Sequence, residues 1–232
     1  EGIFKAISWQ KKRYQYTEAC DLKQEKDMPP KPKFTREEVI DKAIDFIRQY
    51  GIDELTTRAL GEYMGSSARP IFTLFKNMDE LMSEVKNQVY KIYGSYRERT
   101  DSSEPTFKRA GMQMVLFGKY EKRLYQLMFM KENINAHSFD AVFQYLGAIG
   151  EECIEYLKNN FSISEKDARF VFDNVWIYTY GVGTLLATGM CDFTEDELSS
   201  MLAFSFLSTI TEVQKKSGKE NGYKERGKKE WR

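Results

Sequence analysis

The chain has 232 residues, of which 41% are hydrophobic, so it is long enough for one or two domains with a real core. Its 35 Lys and Arg residues balance 35 Asp and Glu residues, which argues against a protein that coats nucleic acid regardless of sequence. No apolar run reaches the roughly 20 residues that a membrane-spanning helix requires.

The first segment, residues 1–33, has no helical periodicity and is predicted to be an N-terminal extension that is either disordered or not native. The run MPPKP at 28–32 is typical of a protein start followed by a stiff arm, because proline interrupts helices. The Gln-Glu pair at 24–25 can be encoded CAG-GAG, which contains a bacterial ribosome-binding sequence. Residues 1–27 are therefore expected to be untranslated leader or a dispensable arm.

A capped helix is predicted next, over 35–50. Thr35 and Glu38 form a Thr-x-x-Glu capping box, apolar residues then recur at helical spacing, and Gly51 ends the helix.

The stretch 56–76 predicts two short helices joined by a tight turn. Gly61 lies mid-helix, where glycine costs about 1 kcal/mol relative to alanine, so we expect another segment to pack closely against it. Gly65 is placed to end the first helix, Ser67 to cap the second, and Pro70 to lie in its first turn. Two helices that cross over a small residue indicate a helix-turn-helix, whose second helix enters the DNA major groove. An ordinary helical hairpin is the alternative.

The later part of the chain also shows helical apolar spacing, without a strand or an internal repeat. Ser164 is placed to cap one helix, and Thr194 with Glu197 forms a capping box for the last. The second half of the helix over 165–189 is apolar around most of its circumference, so we expect it to be buried on nearly all sides. The predicted segments are 79–99, 105–120, 121–130, 138–160, 165–189 and 194–216.

The arrangement FTREEVIDKAIDFIRQYGIDELTTRALGEYMGSSARPIFTLFKNMDEL resembles the N-terminal domain of TetR-type transcriptional regulators, over residues 34–96. The resemblance implies an all-α fold, with a three-helix helix-turn-helix DNA-binding domain and its connecting helix at 34–100. A helical ligand-binding and dimerisation domain at 101–217 would follow. The polar, lysine-rich composition of 218–232 separately predicts a disordered basic tail. Phe72 stands where the family commonly has tyrosine, and Leu74 where it often has histidine.

Once core positions are assigned, the recognition helix leaves a set of residues for DNA contact: Ser67, Ala68, Arg69, Phe72, Thr73 and Lys76. Arg58 and Pro70 complete the candidates. Arg69 is placed to bond guanine with two hydrogen bonds, and Ala68, Pro70 and Thr73 to touch thymine methyl groups. The cations at the edges of the unit suit phosphate contacts. For each residue, a solvated surface side chain is the alternative.

The resemblance also implies an apolar ligand cavity in the C-terminal region. The candidates are Met112, Phe117, Met128, Phe129, Phe143, Phe172, Trp176 and Tyr180, and plain core packing is the alternative for each. Polar contacts are expected from Tyr120, Tyr125, Tyr178 and Tyr180. The segment WIYTYGVGTLLATG resembles a W-x-x-x-H-G pattern of one family branch, with Tyr180 in place of the titratable histidine.

The last two predicted helices carry more apolar surface than one subunit can cover. In the family such helices form a four-helix dimer interface, and reading a palindrome requires two-fold symmetry. A monomer that packs these helices internally is the alternative. Small residues that would allow close helix approach are Gly181, Gly183, Ala187, Ala203, Ser205 and Ser208.

Metal, cofactor and catalytic chemistry have little support. Three widely separated cysteines and a single histidine form no paired motif and no zinc-ligand spacing. His137 has no serine or cysteine motif beside it, and Glu151-Glu152 next to Cys153 is typical of a solvated helix face. We expect no cofactor, and a reduced, cytoplasmic setting.

These observations predict a homodimeric transcriptional regulator, most simply a repressor. Its partners would be a palindromic double-stranded operator, a second copy of itself through the last two helices, and an unknown apolar or aromatic effector, with no membrane. Effector binding would shift the population towards a state whose recognition helices no longer match the half-sites, and the helix over 79–99 would carry the change. The alternatives are a helical sensor or carrier of small molecules without operator binding, and a helical enzyme.

Overall fold

A computed structural model describes residues 33–131 and 148–216 of the chain. Nine α-helices and no strand are present within these residues, which confirms the all-α class for them. The helices are α1 (Arg36–Tyr50), α2 (Thr57–Tyr63), α3 (Arg69–Leu74), α4 (Met78–Glu98), α5 (Thr106–Tyr120), α6 (Lys122–Phe129), α7 (Ala148–Phe161), α8 (Glu165–Ala187) and α9 (Glu195–Lys216). The expectations for residues 1–32, Phe143, His137 and the tail at 218–232 lie outside the described residues.

The chain divides into two units, Glu1–Thr35 and Arg36–Arg232. The described part of the first is short, and in it the Lys33 ammonium lies 5.3 Å from the centre of the Phe34 ring. All nine helices belong to the second unit. The domain boundary near residue 101 stays a prediction.

Local capping explains where several helices begin. The Ser164 hydroxyl accepts a hydrogen bond from the Asp167 backbone N–H at 3.1 Å, as predicted. At the last helix, the Thr194 hydroxyl accepts from the Glu197 N–H at 3.2 Å and the Glu197 carboxylate accepts from the Thr194 N–H at 2.7 Å. Both the single cap and the reciprocal box were therefore readable from neighbouring residues.

Helix α5 is the centre of the core and packs against α4, α6, α7, α8 and α9. Every residue from 112 to 118 is buried. Its closest crossing is with α8, where a Cβ added at Gly118 would lie 2.8 Å from the carbonyl oxygen of Gly183. A Cβ added at Gly183 would lie 2.5 Å from the hydroxyl oxygen of Tyr125 on α6. The two glycines thus let the backbones of α5 and α8 meet directly and leave room on α8 for the Tyr125 ring of α6.

The expectation that α8 is buried on nearly all sides in its second half is wrong for the single chain. Ile177 is 58% exposed and Tyr178 is 37% exposed, because within residues 33–131 and 148–216 no other element covers that side of the helix. On α9, Phe204 is 74% exposed. Of the small residues expected to permit close approach between subunits, Gly183, Ala187 and Ala203 are instead buried within the chain. None of the described helices is both long and apolar enough to cross a membrane.

Candidate functional site

The turn between α2 and α3 is closed by backbone hydrogen bonds around Gly65. This glycine has a φ of +64°, in the left-handed region, as its position predicted. The Ser66 N–H donates to the Gly61 carbonyl at 2.9 Å and the Gly65 N–H donates to the Glu62 carbonyl at 3.0 Å. These two bonds satisfy carbonyls that the end of α2 leaves free, so the turn has a defined geometry.

Gly61 is the point where the segment leading into α3 meets α2. A Cβ added there would lie 2.7 Å from the Ser67 carbonyl carbon and 2.8 Å from the Ala68 nitrogen. Both atoms belong to the backbone and cannot move aside as a flexible side chain would. The predicted close approach at Gly61 is confirmed.

Substituting alanine at Gly61 should therefore weaken the α2–α3 pair despite alanine's better helix propensity. We expect Gly61→Ala to cost about 1–3 kcal/mol of unfolding free energy, the usual range for overpacking. Gly94→Ala is the matched control, because a Cβ at this glycine of α4 meets no atom within 4 Å. Gly94→Ala should raise the unfolding free energy by up to about 1 kcal/mol, because alanine favours the helix more than glycine does. Urea unfolding of both variants provides the measurement, and equal stabilisation by both would contradict the close approach.

Ser67 does not cap α3, contrary to prediction. Ala68 holds the capping position with φ −67° and ψ −15°, and its own methyl side chain cannot accept a hydrogen bond from the first N–H groups of α3. Because Ala68 has already adopted helical angles, the Ser67 hydroxyl accepts only a long 3.4 Å bond from the Arg69 N–H. Pro70 does lie in the first turn, as predicted.

All eight residues predicted to contact DNA are at least partly accessible. Ala68 and Pro70 are half-buried and the others are exposed, with Phe72 at 55%. Arg58, on α2, pairs with Glu62 at 3.0 Å, and such an exposed ion pair is easily exchanged for another anion. The Thr73 hydroxyl donates to the Arg69 carbonyl at 3.1 Å, which leaves its methyl group for apolar contacts.

Arg36 and Glu80 hold α3 in place, and the sequence reading missed both. One Arg36 nitrogen donates to the Leu74 carbonyl at 2.5 Å, another donates to Glu80 at 3.0 Å, and the guanidinium lies 4.3 Å from the centre of the Phe75 ring. Glu80 also accepts from the Lys76 N–H at 2.7 Å. That backbone hydrogen bond, and then Arg36, lower the pKa of the Glu80 carboxyl. The end of α3 is thereby tied to α1 and α4.

In the C-terminal part, four rings from three helices form what we term the α4–α6 cluster: Tyr93, Phe117, Tyr125 and Phe129. Tyr93 lies 5.3 Å from Phe117 and 5.5 Å from Phe129, between ring centres, and Tyr125 lies 4.8 Å from Phe129. The Tyr180 hydroxyl of α8 donates to the Phe129 carbonyl, and the Tyr125 hydroxyl donates to the Tyr180 carbonyl at 3.2 Å. Burial raises the pKa values of Tyr93 and Tyr125.

Two further aromatic candidates that the structure describes, Phe172 and Trp176, belong to a second group, the α8 cluster. It comprises Phe107, Phe161, Phe172, Trp176 and Phe206. Phe172 stacks on Trp176 with ring centres 5.7 Å apart, and Phe107 lies 6.0 Å from Phe172 and 5.2 Å from Phe206. Met112 is buried and Met128 half-buried. The ring contacts thus divide the predicted ligand residues into two groups.

The four tyrosines expected to provide polar contacts also divide into two pairs, one at the core and one at exposed positions. Tyr125 and Tyr180 lie in or beside the α4–α6 cluster. Tyr120 is 47% exposed and its hydroxyl donates to Glu195 at 2.7 Å, while Tyr178 is on the exposed side of α8. Only the first pair is therefore placed to meet a molecule in the core.

A polar clamp joins α6 and its flanks to the region around the end of α1. The Arg48 guanidinium donates to both carboxylate oxygens of Glu121, at 2.9 and 2.7 Å. Arg123 donates to the Tyr50 carbonyl at 3.2 Å, and Lys131 donates to Asp53 at 2.5 Å. The Arg48–Glu121 pair has the two-bond geometry that fixes orientation as well as distance. The chain therefore carries a direct connection between the α4–α6 cluster and α1.

Few groups near these sites have catalytic or metal-binding character. Burial raises the pKa of the Cys153 thiol to about 12, so it stays protonated at neutral pH. Glu151 and Glu152 are exposed, as predicted, and Glu152 pairs with Arg97 at 3.0 Å. No group of three His, Cys, Asp or Glu residues that could hold a metal ion occurs in residues 33–131 and 148–216.

Comparison with models of known protein families finds no match. Comparison with curated proteins also finds no match. The interpretation of the chain therefore depends on its residues and their geometry.

Proposed function

We propose that the chain is a homodimeric transcriptional regulator that binds a palindromic operator and is released from it by a small apolar or aromatic effector. The observation that carries the proposal is the close approach at Gly61, which packs the backbone leading into α3 directly against α2 and leaves the outward residues of α3 exposed. In this arrangement α1, α2 and α3 form the helix-turn-helix domain, and α4 connects that domain to the later helices. The later helices bind the effector and a second subunit.

The charge of the α2–α3 unit supports DNA as its partner, although the whole chain is neutral. The stretch 56–76 contains three cations and one carboxylate, Glu62, which lies on α2. Arg69 and Lys76 are both exposed, so each cation can meet a phosphate or a base. A local positive face is sufficient for a dimer that reads two half-sites.

The uncovered apolar side of α8 and α9 supports self-association. Phe170, Ile177 and Phe204 are each more than half exposed. Phe170 and Ile177 are seven residues apart on α8 and so lie on one side of it. A second copy would cover this apolar surface and place two α3 helices in successive major grooves, about 34–36 Å apart.

The polar clamp supports α6 as the element that couples effector and operator. An effector against the α4–α6 cluster would contact Phe129 at the end of α6, and α6 is joined to α1 through Glu121 and Arg123. A ligand that binds one position of α6 better than another shifts the population towards that position. This route acts beside the connecting helix α4, on which the sequence reading placed the whole change.

Arg69 and Lys76 provide the test of operator binding. Arg69→Ala should lose about 1–3 kcal/mol of discrimination between bases at one position per half-site. Lys76→Ala should instead lower the affinity for all DNA sequences alike, and it should reduce the slope of log K against log salt concentration by about one. Fluorescence anisotropy with an operator selected from random DNA, repeated at several salt concentrations, measures both.

Lys91→Ala is the matched control, because Lys91 is an exposed cation on α4, three to four turns beyond the N-terminus of that helix. It should bind like the parent. Failure of the parent to select any DNA sequence would contradict the proposal. An effector that binds in the absence of DNA binding would then favour the small-molecule sensor or carrier.

A further inference from the structure

Gln113 is a polar side chain in the most apolar part of the chain. It lies on α5 among buried residues and is 1% exposed. Its Nε2 donates to the Tyr93 carbonyl at 2.9 Å. Its Oε1 is buried and, within the part of the chain that the structure describes, has no hydrogen-bond partner. Native proteins rarely leave a buried polar atom in this state without an ion, a water or a ligand to meet it.

The hydrogen bond to Tyr93 fixes which amide atom is free. A backbone carbonyl can only accept, so the Gln113 atom that faces it must be the amino group. Rotating the amide by 180° would place two acceptors against each other and leave the amino group unpaired. The atom available to another molecule is therefore an acceptor, and its partner has to be a donor.

The free acceptor lies beside the α4–α6 cluster. Phe117 is one helical turn beyond Gln113 on α5, so the two side chains share a side of the helix. Tyr93 connects the two features, because its carbonyl holds the Gln113 amide and its ring lies 5.3 Å from that of Phe117. One polar acceptor among aromatic rings is the usual composition of a small-molecule site.

We propose that Gln113 Oε1 is the polar recognition point of the effector site. It accepts a hydrogen bond from an N–H or O–H group of an aromatic molecule whose apolar body packs on Tyr93, Phe117 and Phe129. The inference rests on the effector half of the proposed function and does not require DNA binding. It narrows the effector class from any apolar molecule to aromatic hydrogen-bond donors.

Indole and indene are suitable probes, because the two bicyclic molecules have nearly the same shape and only indole carries an N–H donor. Isothermal titration calorimetry on the full chain should show indole binding about tenfold more tightly than indene, the effect of one net hydrogen bond. Equal affinities, or no binding of either probe at millimolar concentration, would overturn the inference. Neither result would affect operator binding, which is measured separately.

The variant Gln113→Met keeps the length of the side chain and removes the amide. It should therefore bind indole and indene with about equal affinity. Gln126→Met is the matched control: Gln126 on α6 donates to the Ala187 carbonyl at 2.7 Å, and the same substitution there should leave the preference intact. A preference that survives in Gln113→Met would overturn the inference. If that variant does not fold, the side-chain amide NMR signal of Gln113 in the parent decides. It should shift with indole and not with indene, and no shift with indole would refute the assignment.

Discussion

A variant carrying Ile177→Glu and Phe204→Glu should be a folded monomer that binds the operator roughly 100-fold more weakly than the parent. Both side chains are highly exposed in the single chain, so the substitutions create no strain within the subunit. In a dimer they would be covered, and an unpaired carboxylate in an apolar interface is costly. Loss of the second subunit removes the gain from binding two half-sites at once.

Sedimentation velocity measures the oligomeric state, and anisotropy with a full operator and with a single half-site measures the binding. Tyr90→Glu is the control, since Tyr90 is 44% exposed on α4, outside the two helices in question. It should remain dimeric. A parent that sediments as a monomer, or a double variant that stays dimeric, would rule out this interface.

Trp176→Ala should have the largest effect on stability, about 3–5 kcal/mol of unfolding free energy. Trp176 is 6% exposed and stacks on Phe172 within the α8 cluster, so its removal leaves a cavity among rigid rings. Phe170→Ala on the same helix is the matched control. Because Phe170 is 51% exposed, its truncation should change stability by about 0.5 kcal/mol or less.

Guanidinium unfolding followed by circular dichroism gives both values. A Trp176 variant as stable as the parent would show that this ring is not part of the packed core. In that case the α8 cluster would become the better candidate for the effector site, and the Gln113 acceptor would lie away from it.

The parts of the fold that the sequence predicts are those determined by neighbouring residues. The left-handed Gly65, the cap at Ser164 and the box of Thr194 with Glu197 each depend on contacts within a few positions. The predicted cap at Ser67 is wrong because Ala68 already has helical backbone angles and takes the capping position. Residue types alone do not determine those angles.

Contacts between segments that are far apart in the chain could not be predicted from the sequence. Arg48 and Glu121 are 73 residues apart, and each is an ordinary charged residue at a helix end. The division of the aromatic candidates into two clusters could not be predicted for the same reason. Helical spacing places Phe117 and Phe172 in the core, but it does not determine which rings they contact. Gln113 does have a signal in the sequence, because it is a lone amide within the apolar run GMQMVLFG.

The glycine crossing of α5 and α8 has a mechanical consequence. With no side chains between Gly118 and Gly183, the helices cannot approach further, and parting them would open a gap that no rotamer can fill. A rotation about the contact keeps the spacing. The crossing is thus a pivot, and the Glu165 end of α8, about 27 Å from it, would be displaced by about 2 Å for a swivel of about 5°. Small angular changes at the centre of the subunit are therefore enlarged at the far end of α8.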